Sequence, residues 1–207
     1  MTVEPVLTNR NRLTTALRLI LAIPHAILVG GLGFGILGGV TTTSAGGVTS
    51  YSWETGLLGA VAAFLAIVSW FTLVFSGLHI PGIRQFTLVY LRWRVRVLAY
   101  MMLLEDRYPP FGDADYPASV TVDDPKLPRD RVTIALRLLV AIPHFIVLFF
   151  LCIGWWITAI IAWVLILATG AYPPGLYDFG VGILRWFTRV EAYVLLLVDE
   201  YPPFALS

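Results

Sequence analysis

Two side chains able to bind ions or move protons recur at the same spacing in two parts of the chain. Arg18 and His25 lie seven residues apart, and Arg137 and His144 repeat the pair. Seven residues are about two helical turns, so each arginine shares a helix face with its histidine. We favour the interpretation that the arginine extends to the membrane surface and that the histidine binds a backbone carbonyl or a neighbouring helix. A ligand or ion site along this polar stripe is the alternative.

Other candidate catalytic or metal-binding groups are scarce. Asp106 and Asp199 recur, but no repeated nucleophile or base stands beside them. We therefore predict a non-enzymatic protein. One cysteine, Cys152, and three histidines do not form a zinc-type pattern, so no metal site and no cofactor are predicted. Axial ligation of one haem by His25 and His144 is the less favoured alternative.

These residues belong to an internal duplication. Arg12–His25 returns as Arg131–His144, and Trp70–Phe111 returns as Trp163–Phe204. The offset between the copies falls from 119 to 93 across a polar segment at 40–55. A repeat of this length marks a structural unit. The sequence therefore predicts three parts: a first unit at 1–111 with an outer loop at 40–55, a linker at 112–128, and a second unit at 129–207.

The composition is that of a membrane protein. Of the 207 residues, 58% are hydrophobic and 13% are charged, and the mean hydropathy is +0.81. Soluble domains carry about 25% charged residues. The formal net charge of +1 gives no sign of a polyanionic partner, so nucleic acid binding is not expected.

Apolar segments and breakers predict an all-α integral membrane fold. Each unit is expected to form a hairpin of two transmembrane helices, with the second hairpin turning near Ile153-Gly154. After each hairpin, a Pro-Gly pair begins a cationic helix, at Ile83–Leu104 and Leu176–Val198. Arginines are costly within a span, so these helices are predicted to be amphipathic and to lie in the membrane interface. The four predicted spans are Leu17–Gly39, Leu57–Gly77, Ile134–Ile153 and Trp155–Thr169.

Each predicted interfacial helix carries two arginines and a tyrosine spaced four residues apart. This spacing places the three side chains on one face, and guanidinium groups match phosphate geometry. We predict that this face binds anionic lipid headgroups or a partner protein. The residues are Arg92, Arg96, Tyr100, Arg185, Arg189 and Tyr193.

A repeated Asp-x-Tyr-Pro-Pro-Phe sequence follows each cationic helix. We predict that it ends the helix, that its acid pairs with a repeated arginine of either copy, and that its aromatic side chains anchor at headgroup level. Docking of a cytoplasmic partner is the alternative. The residues concerned are Asp106, Tyr108, Asp199 and Tyr201.

The distribution of positive charge predicts the orientation. The segment at 40–55 contains no lysine or arginine, whereas the N-terminal segment, the linker, the cationic helices and the first turns of the first and third spans do. The positive-inside rule then places both termini on the cytoplasmic side of a multi-pass protein. Because each predicted hairpin returns the chain to its starting side, the two units are expected to be parallel, with a pseudo-twofold axis along the membrane normal.

Two repeated blocks resemble a known family. Ala-Leu-Arg-Leu-x-x-Ala-Ile-Pro-His and Leu-Arg-Trp followed by Asp-x-Tyr-Pro-Pro-Phe are similar to a bacterial membrane family known as domain of unknown function 4389. The chain resembles a tandem member with two units. The resemblance implies a small integral membrane protein and supplies no activity and no catalytic residue.

Together these features predict a non-enzymatic protein of the bacterial inner membrane. It is expected to be a lipid-interacting scaffold or an accessory subunit of a membrane assembly, with anionic lipids, a second copy of itself or another membrane protein as partners. The alternative is a small channel or transporter whose path is lined by the repeated arginine and histidine stripe.

Overall fold

The computed structural model describes residues 1–31, 56–125 and 129–207, so the predicted outer loop at 40–55 lies outside the described residues. Among the described residues, three helices, Arg12–Val29, Gly56–Ser76 and Arg131–Thr169, are long and apolar enough to cross a membrane, which indicates a membrane protein. Two short antiparallel strands pair Thr2 with Ser119. The elements are β1 Thr2–Val3, α1 Arg12–Val29, α2 Gly56–Ser76, α3 Pro81–Met101, β2 Ala118–Ser119, α4 Arg131–Thr169 and α5 Pro174–Val194.

The second unit has one long helix where a hairpin was expected. Helix α4 runs without interruption for 39 residues, so the turn predicted near Ile153-Gly154 is wrong. A single glycine costs a helix only about 1 kcal/mol relative to alanine, and the apolar residues around Gly154 continue the helical pattern. The predicted arrangement of four spans is therefore not confirmed.

In the first unit, α1 and α2 together match this long helix. They contain 18 and 21 residues, and α4 contains 39. The first residue of α2, Gly56, has a φ of +64°, and a side chain there would collide with the backbone of Leu28 and Gly30. The end of α1 thus meets the start of α2. In the sequence, residues 30–55 have no counterpart in the second unit, whose equivalent helix is continuous.

The end-to-end pair α1 and α2 forms one long element and α4 forms the other, and these two long elements run antiparallel. At one end, the amide of Arg10 donates to the carbonyl of Gly170 over 3.0 Å. At the other end, Nη1 of Arg131 donates to the carbonyl of Phe75 over 3.3 Å. The start of α1 and the end of α2 are therefore at opposite ends of α4. The predicted parallel arrangement is wrong because neither unit folds back as a hairpin.

Two equivalent hydrogen bonds join the long elements along their length. Nε1 of Trp70 in α2 donates to the carbonyl of Ile134, and Nε1 of Trp163 in α4 donates to the carbonyl of Thr15, both over 3.0 Å. These residues are related by the repeat. The bonds show that the units are related by a pseudo-twofold axis perpendicular to the long helices.

Helices α3 and α5 form the most buried layer of the described structure. Each begins with a proline at its first turn, which suits that position because its missing N–H would have no helical partner there. Twelve residues of α3 and fourteen of α5 are buried. The predicted interfacial position of these cationic helices is not confirmed, because long helices, strands and chain ends cover them. Except for Arg185, their arginines bind partners within the described protein.

Candidate functional site

A buried pair of arginines meets one aspartate in the first unit. Arg18, on α1, donates to the carbonyls of Tyr100 and Glu105 over 3.1 and 3.0 Å and pairs with Asp106. Its guanidinium lies 4.7 Å from the centre of the Tyr100 ring. Arg10 reaches the same carboxylate over 3.2 Å. We call this group the arginine cluster of the first unit.

The second unit repeats the bonds of Arg18, and a second arginine again pairs with the aspartate. Arg137 donates to the carbonyls of Tyr193 and Val198 over 3.0 and 2.8 Å and to Asp199 over 2.7 Å. Arg129 binds the same carboxylate with its Nε, 2.9 Å from Oδ2. Each aspartate thus pairs with arginines of its own unit, which decides between the two options left open by the sequence. The pKa of Asp199 lies below its usual value, because hydrogen bonds from both arginines outweigh the effect of burial.

A strained turn positions a carbonyl in each arginine cluster. Leu103 and Leu196 follow α3 and α5 with φ angles of +66° and +64°. This left-handed conformation costs a residue with a side chain about 1–2 kcal/mol. Arg10 and Arg129 donate hydrogen bonds to the carbonyl oxygens of Leu103 and Leu196, the second over 3.0 Å. The repeated arginines therefore hold the chain where it turns from the buried helix into the tail.

Each histidine is enclosed by aromatic side chains of its own unit. Nε1 of Trp93 donates to Nδ1 of His25 over 3.2 Å, and Nε1 of Trp186 donates to Nδ1 of His144 over 3.1 Å. A phenylalanine of the tail stacks on each imidazole, with centroids 4.3 Å apart for Phe111 and 3.9 Å for its equivalent. The histidines thus fix the Tyr-Pro-Pro-Phe tails against α1 and α4.

These contacts bear on the predictions for the polar stripe. The structure brings Arg18 to Asp106 and Arg137 to Asp199, and it surrounds His25 and its equivalent with aromatic rings. These internal bonds give no support to a transport path or to haem ligation, which stay predictions. No group of three histidine, cysteine or acidic residues in the described part of the chain could hold a metal ion.

One buried ion pair joins the two units. Nε of Arg94, in α3, lies 3.2 Å from a carboxylate oxygen of Glu191, in α5, and both side chains are buried. Arg94 also donates to the carbonyls of Val29 and Gly31 over 3.0 Å each, and to the Tyr90 hydroxyl over 2.8 Å. Burial raises the pKa of Tyr90 to about 12 and also raises the pKa of Glu191. Arg94 therefore binds carbonyls at the end of α1, where the insertion begins.

The arginines predicted to bind lipid have different surroundings in the two units. In the first unit, Asp113 bridges them, with distances of 2.9 Å to Arg92 and 3.0 Å to Arg96. In the second unit, Arg189 donates to the backbone oxygens of Ala205 and Ser207. Arg185 makes no hydrogen bond or ion pair with any residue that the structure describes. The two predicted tyrosines, Tyr100 and Tyr193, are buried beneath the guanidinium groups of the arginine clusters.

An open cleft of about 980 Å³ lies beside Arg185 and Arg189. Its other walls come from the 120–125 segment and from the tail residues Glu200 to Pro203. Four acids line the cleft: Asp124 pairs with Arg84 over 2.9 Å, Asp199 pairs with the second arginine cluster, and Asp123 and Glu200 form no ion pair with Arg185 or Arg189 in the described structure. Burial and the neighbouring charge of Arg185 lower the pKa of Arg189. This arginine pair thus lacks the carboxylate that its equivalent has.

Some of these residues could have been recognised from the sequence, and others could not. Arg10 and Arg129 extend the repeat two residues upstream of its first motif, and Trp93 and Trp186 lie within the second. The repeat therefore marks these four residues in the sequence. Glu191 gave no such signal, because the first unit has a leucine at the equivalent position.

The comparisons with known proteins identify the family and no activity. No curated protein and no solved structure matches the chain. A family model described as "Domain of unknown function (DUF4389)" matches residues 55–112 and 131–205, which is one match in each unit and more than half of the chain. The chain is therefore a tandem, two-unit member of the DUF4389 family.

Proposed function

We propose that the protein is a non-enzymatic, lipid-interacting scaffold, or an accessory subunit of a membrane assembly, in the bacterial cytoplasmic membrane. The observation that carries this proposal is the apolar exposed surface of the long helices. Beyond Arg12 and Arg131, no charged side chain of α1, α2 or α4 is exposed in the described structure, whereas large apolar side chains are exposed along all three. Such a surface is stable only against lipid or another apolar surface.

The repeated polar residues support a structural role for the units. Arginine, aspartate and histidine side chains are engaged within each unit and hold its tail against its long helix. A catalytic site would be expected to bring a nucleophile and a base together in an open pocket. We infer that both termini and the buried helices lie on the cytoplasmic side, since lysine and arginine are concentrated there.

We further propose Arg185 and Arg189 as the site of an anionic headgroup. Asp113 supplies the acceptor for the equivalent pair in the first unit, and Leu206 stands at the equivalent position of the second. A phosphate in the cleft would supply the missing acceptor, since two guanidinium groups match its oxygens. Arg92 and Arg96 are not expected to bind lipid while Asp113 bridges them.

Native mass spectrometry of detergent-solubilised protein tests this site. The Arg185→Gln variant is expected to bind phosphatidylglycerol about fivefold more weakly, because one arginine contributes about 1 kcal/mol at an anionic membrane surface. Arg92→Gln is the matched control and is expected to change binding little. Phosphatidylcholine and inorganic phosphate serve as comparison ligands. Equal retention of phosphatidylglycerol in Arg185→Gln and the unaltered protein would argue against the headgroup site.

A further inference from the structure

The length of the long helices constrains how the protein can sit in a membrane. Helix α4 rises about 58 Å at 1.5 Å per residue, whereas bilayer hydrocarbon is about 30 Å thick. Its large exposed apolar side chains extend from Val132 to Val164, which is about 48 Å. Crossing the hydrocarbon without leaving apolar residues in water would need a tilt of about 50°, beyond the range of roughly 0–40° known for spanning helices.

The tails add a second constraint. His144 holds the tail Tyr201–Phe204 within about 10 Å of the midpoint of α4. This tail is not helical, and Tyr201 and Phe204 are 40% and 50% exposed. In a spanning orientation, its backbone would face lipid at hydrocarbon depth, where irregular exposed backbone does not occur. At the level of the headgroups, water satisfies that backbone and the exposed aromatic rings find their preferred environment.

The symmetry of the positive charge is a third constraint. Arg10 and Arg12 lie at one end of the antiparallel long elements, and Arg129 and Arg131 lie at the other. A spanning orientation would place equivalent arginines on both sides of the membrane, against the positive-inside rule. Helices that lie along the membrane allow both ends to face the cytoplasm.

We propose that α1, α2 and α4 lie in the plane of the membrane and are sunk into one leaflet. This inference rests on the proposed function and deepens it by naming the partner surface, which is the acyl chains and headgroups of a single leaflet. The pseudo-twofold axis then stands along the membrane normal. Helices α3 and α5 lie on the cytoplasmic side of the long helices. A one-sided insertion of this kind is the behaviour of monotopic proteins, whose helices enter the acyl boundary by about 5–10 Å.

Depth measurements with spin labels test this placement. In a Cys152→Ala background, single cysteines replace Leu139, Ile146, Ile153 and Ile160, which share one exposed face of α4 at intervals of seven residues. In vesicles of phosphatidylglycerol and phosphatidylcholine, the four labels are expected to lie at one shallow depth, within about 5 Å of each other. A depth profile that varies by about 10 Å or more, with its maximum near Ile153, would overturn the proposal.

Labelling from one side of the membrane provides a second readout. Ser76→Cys and Thr169→Cys are at opposite ends of the long elements, and both native residues are exposed. In inside-out vesicles, a membrane-impermeant maleimide is expected to react with both. Reaction of only one would show that the helices cross. Failure of the protein to float with vesicles would instead refute the proposed function itself, so the two failures are distinguishable.

Discussion

The two units differ most at the middle of their long helices. In the second unit, α4 passes through this point without a break, and Phe187 of α5 is buried in the hydrophobic core. In the first unit, α1 ends at Val29 and α2 begins at Gly56, and Arg94 stands at the position equivalent to Phe187. An interrupted helix leaves carbonyl groups without helical partners, and a buried carbonyl needs a donor. The comparison indicates that Arg94 is needed because the helix of the first unit ends at this point and leaves carbonyl groups that need a donor.

The charge of Arg94 explains a second difference. A buried guanidinium needs a counter-charge, and Glu191 supplies it from the other unit, where the first unit has Leu98. Elsewhere, the two units share the bonds of Arg18 and Arg137 and those of the two histidines. The units thus differ at the helix interruption, at the central ion pair and in the partner of the predicted lipid-binding arginines.

Breaking the central ion pair is expected to have the largest effect on stability. Glu191→Leu leaves the Arg94 guanidinium buried without its carboxylate, which costs about 3–5 kcal/mol. Thermal unfolding in detergent, followed by circular dichroism, measures the loss. The double variant Arg94→Phe, Glu191→Leu copies the residues found at the equivalent positions and removes both charges. It is expected to be more stable than Glu191→Leu alone, and a double variant as unstable as the single one would contradict the pairing.

Deleting residues 30–55 sharpens the same comparison. The deletion joins Val29 to Gly56 in the register that Leu148 and Phe149 have in α4. If Arg94 serves the carbonyls at the interruption, the double substitution should cost less stability in the deletion variant than in the full chain. An equal loss of stability in both backgrounds would show that the role of Arg94 does not depend on the insertion.

Removing either histidine is expected to have a smaller effect that is equal in both units. His25→Leu and His144→Leu each leave a buried tryptophan N–H without an acceptor, at a cost of about 1–3 kcal/mol. Tryptophan fluorescence during unfolding measures this loss. Phe111→Leu and Phe204→Leu are the matched controls, because they remove the stacking ring and keep the hydrogen bond. A marked loss of stability in only one of the two histidine variants would show that His25 and His144 do not have equivalent roles.

The smallest effect is the pH dependence supplied by Asp199. Burial alone would raise its pKa, but the bonds from Arg129 and Arg137 outweigh burial and keep the pKa lower than in the unfolded chain. This contribution to stability is present above the unfolded pKa, near 4, and is lost as the pH falls through the folded value. Unfolding midpoints between neutral and acidic pH should therefore fall less in Asp199→Asn than in the unaltered protein. Parallel pH profiles would count against this role.

Much of each unit could be predicted from the repeat. The shared motifs marked Arg18, His25 and Asp106, together with their equivalents, and the structure places each set together. The position of the cationic helices was predicted less well, because arginines in an apolar segment suggest an interfacial helix when no partner is visible. Here the tail carbonyls, Asp113 and Glu191 supply those partners, and α3 and α5 are buried.

The sequence alone determined the duplication, the membrane composition and the local content of each unit, because repeated motifs and apolar runs are properties of neighbouring residues. Only the tertiary structure decided that α4 is one helix, that α1 and α2 lie end to end beside it, and that the units are antiparallel. An apolar run of this length is compatible with two short spans or one long helix, since both bury the same side chains locally. The choice depends on contacts between distant residues, such as those of Trp70 with Ile134 and Trp163 with Thr15, which no local pattern records.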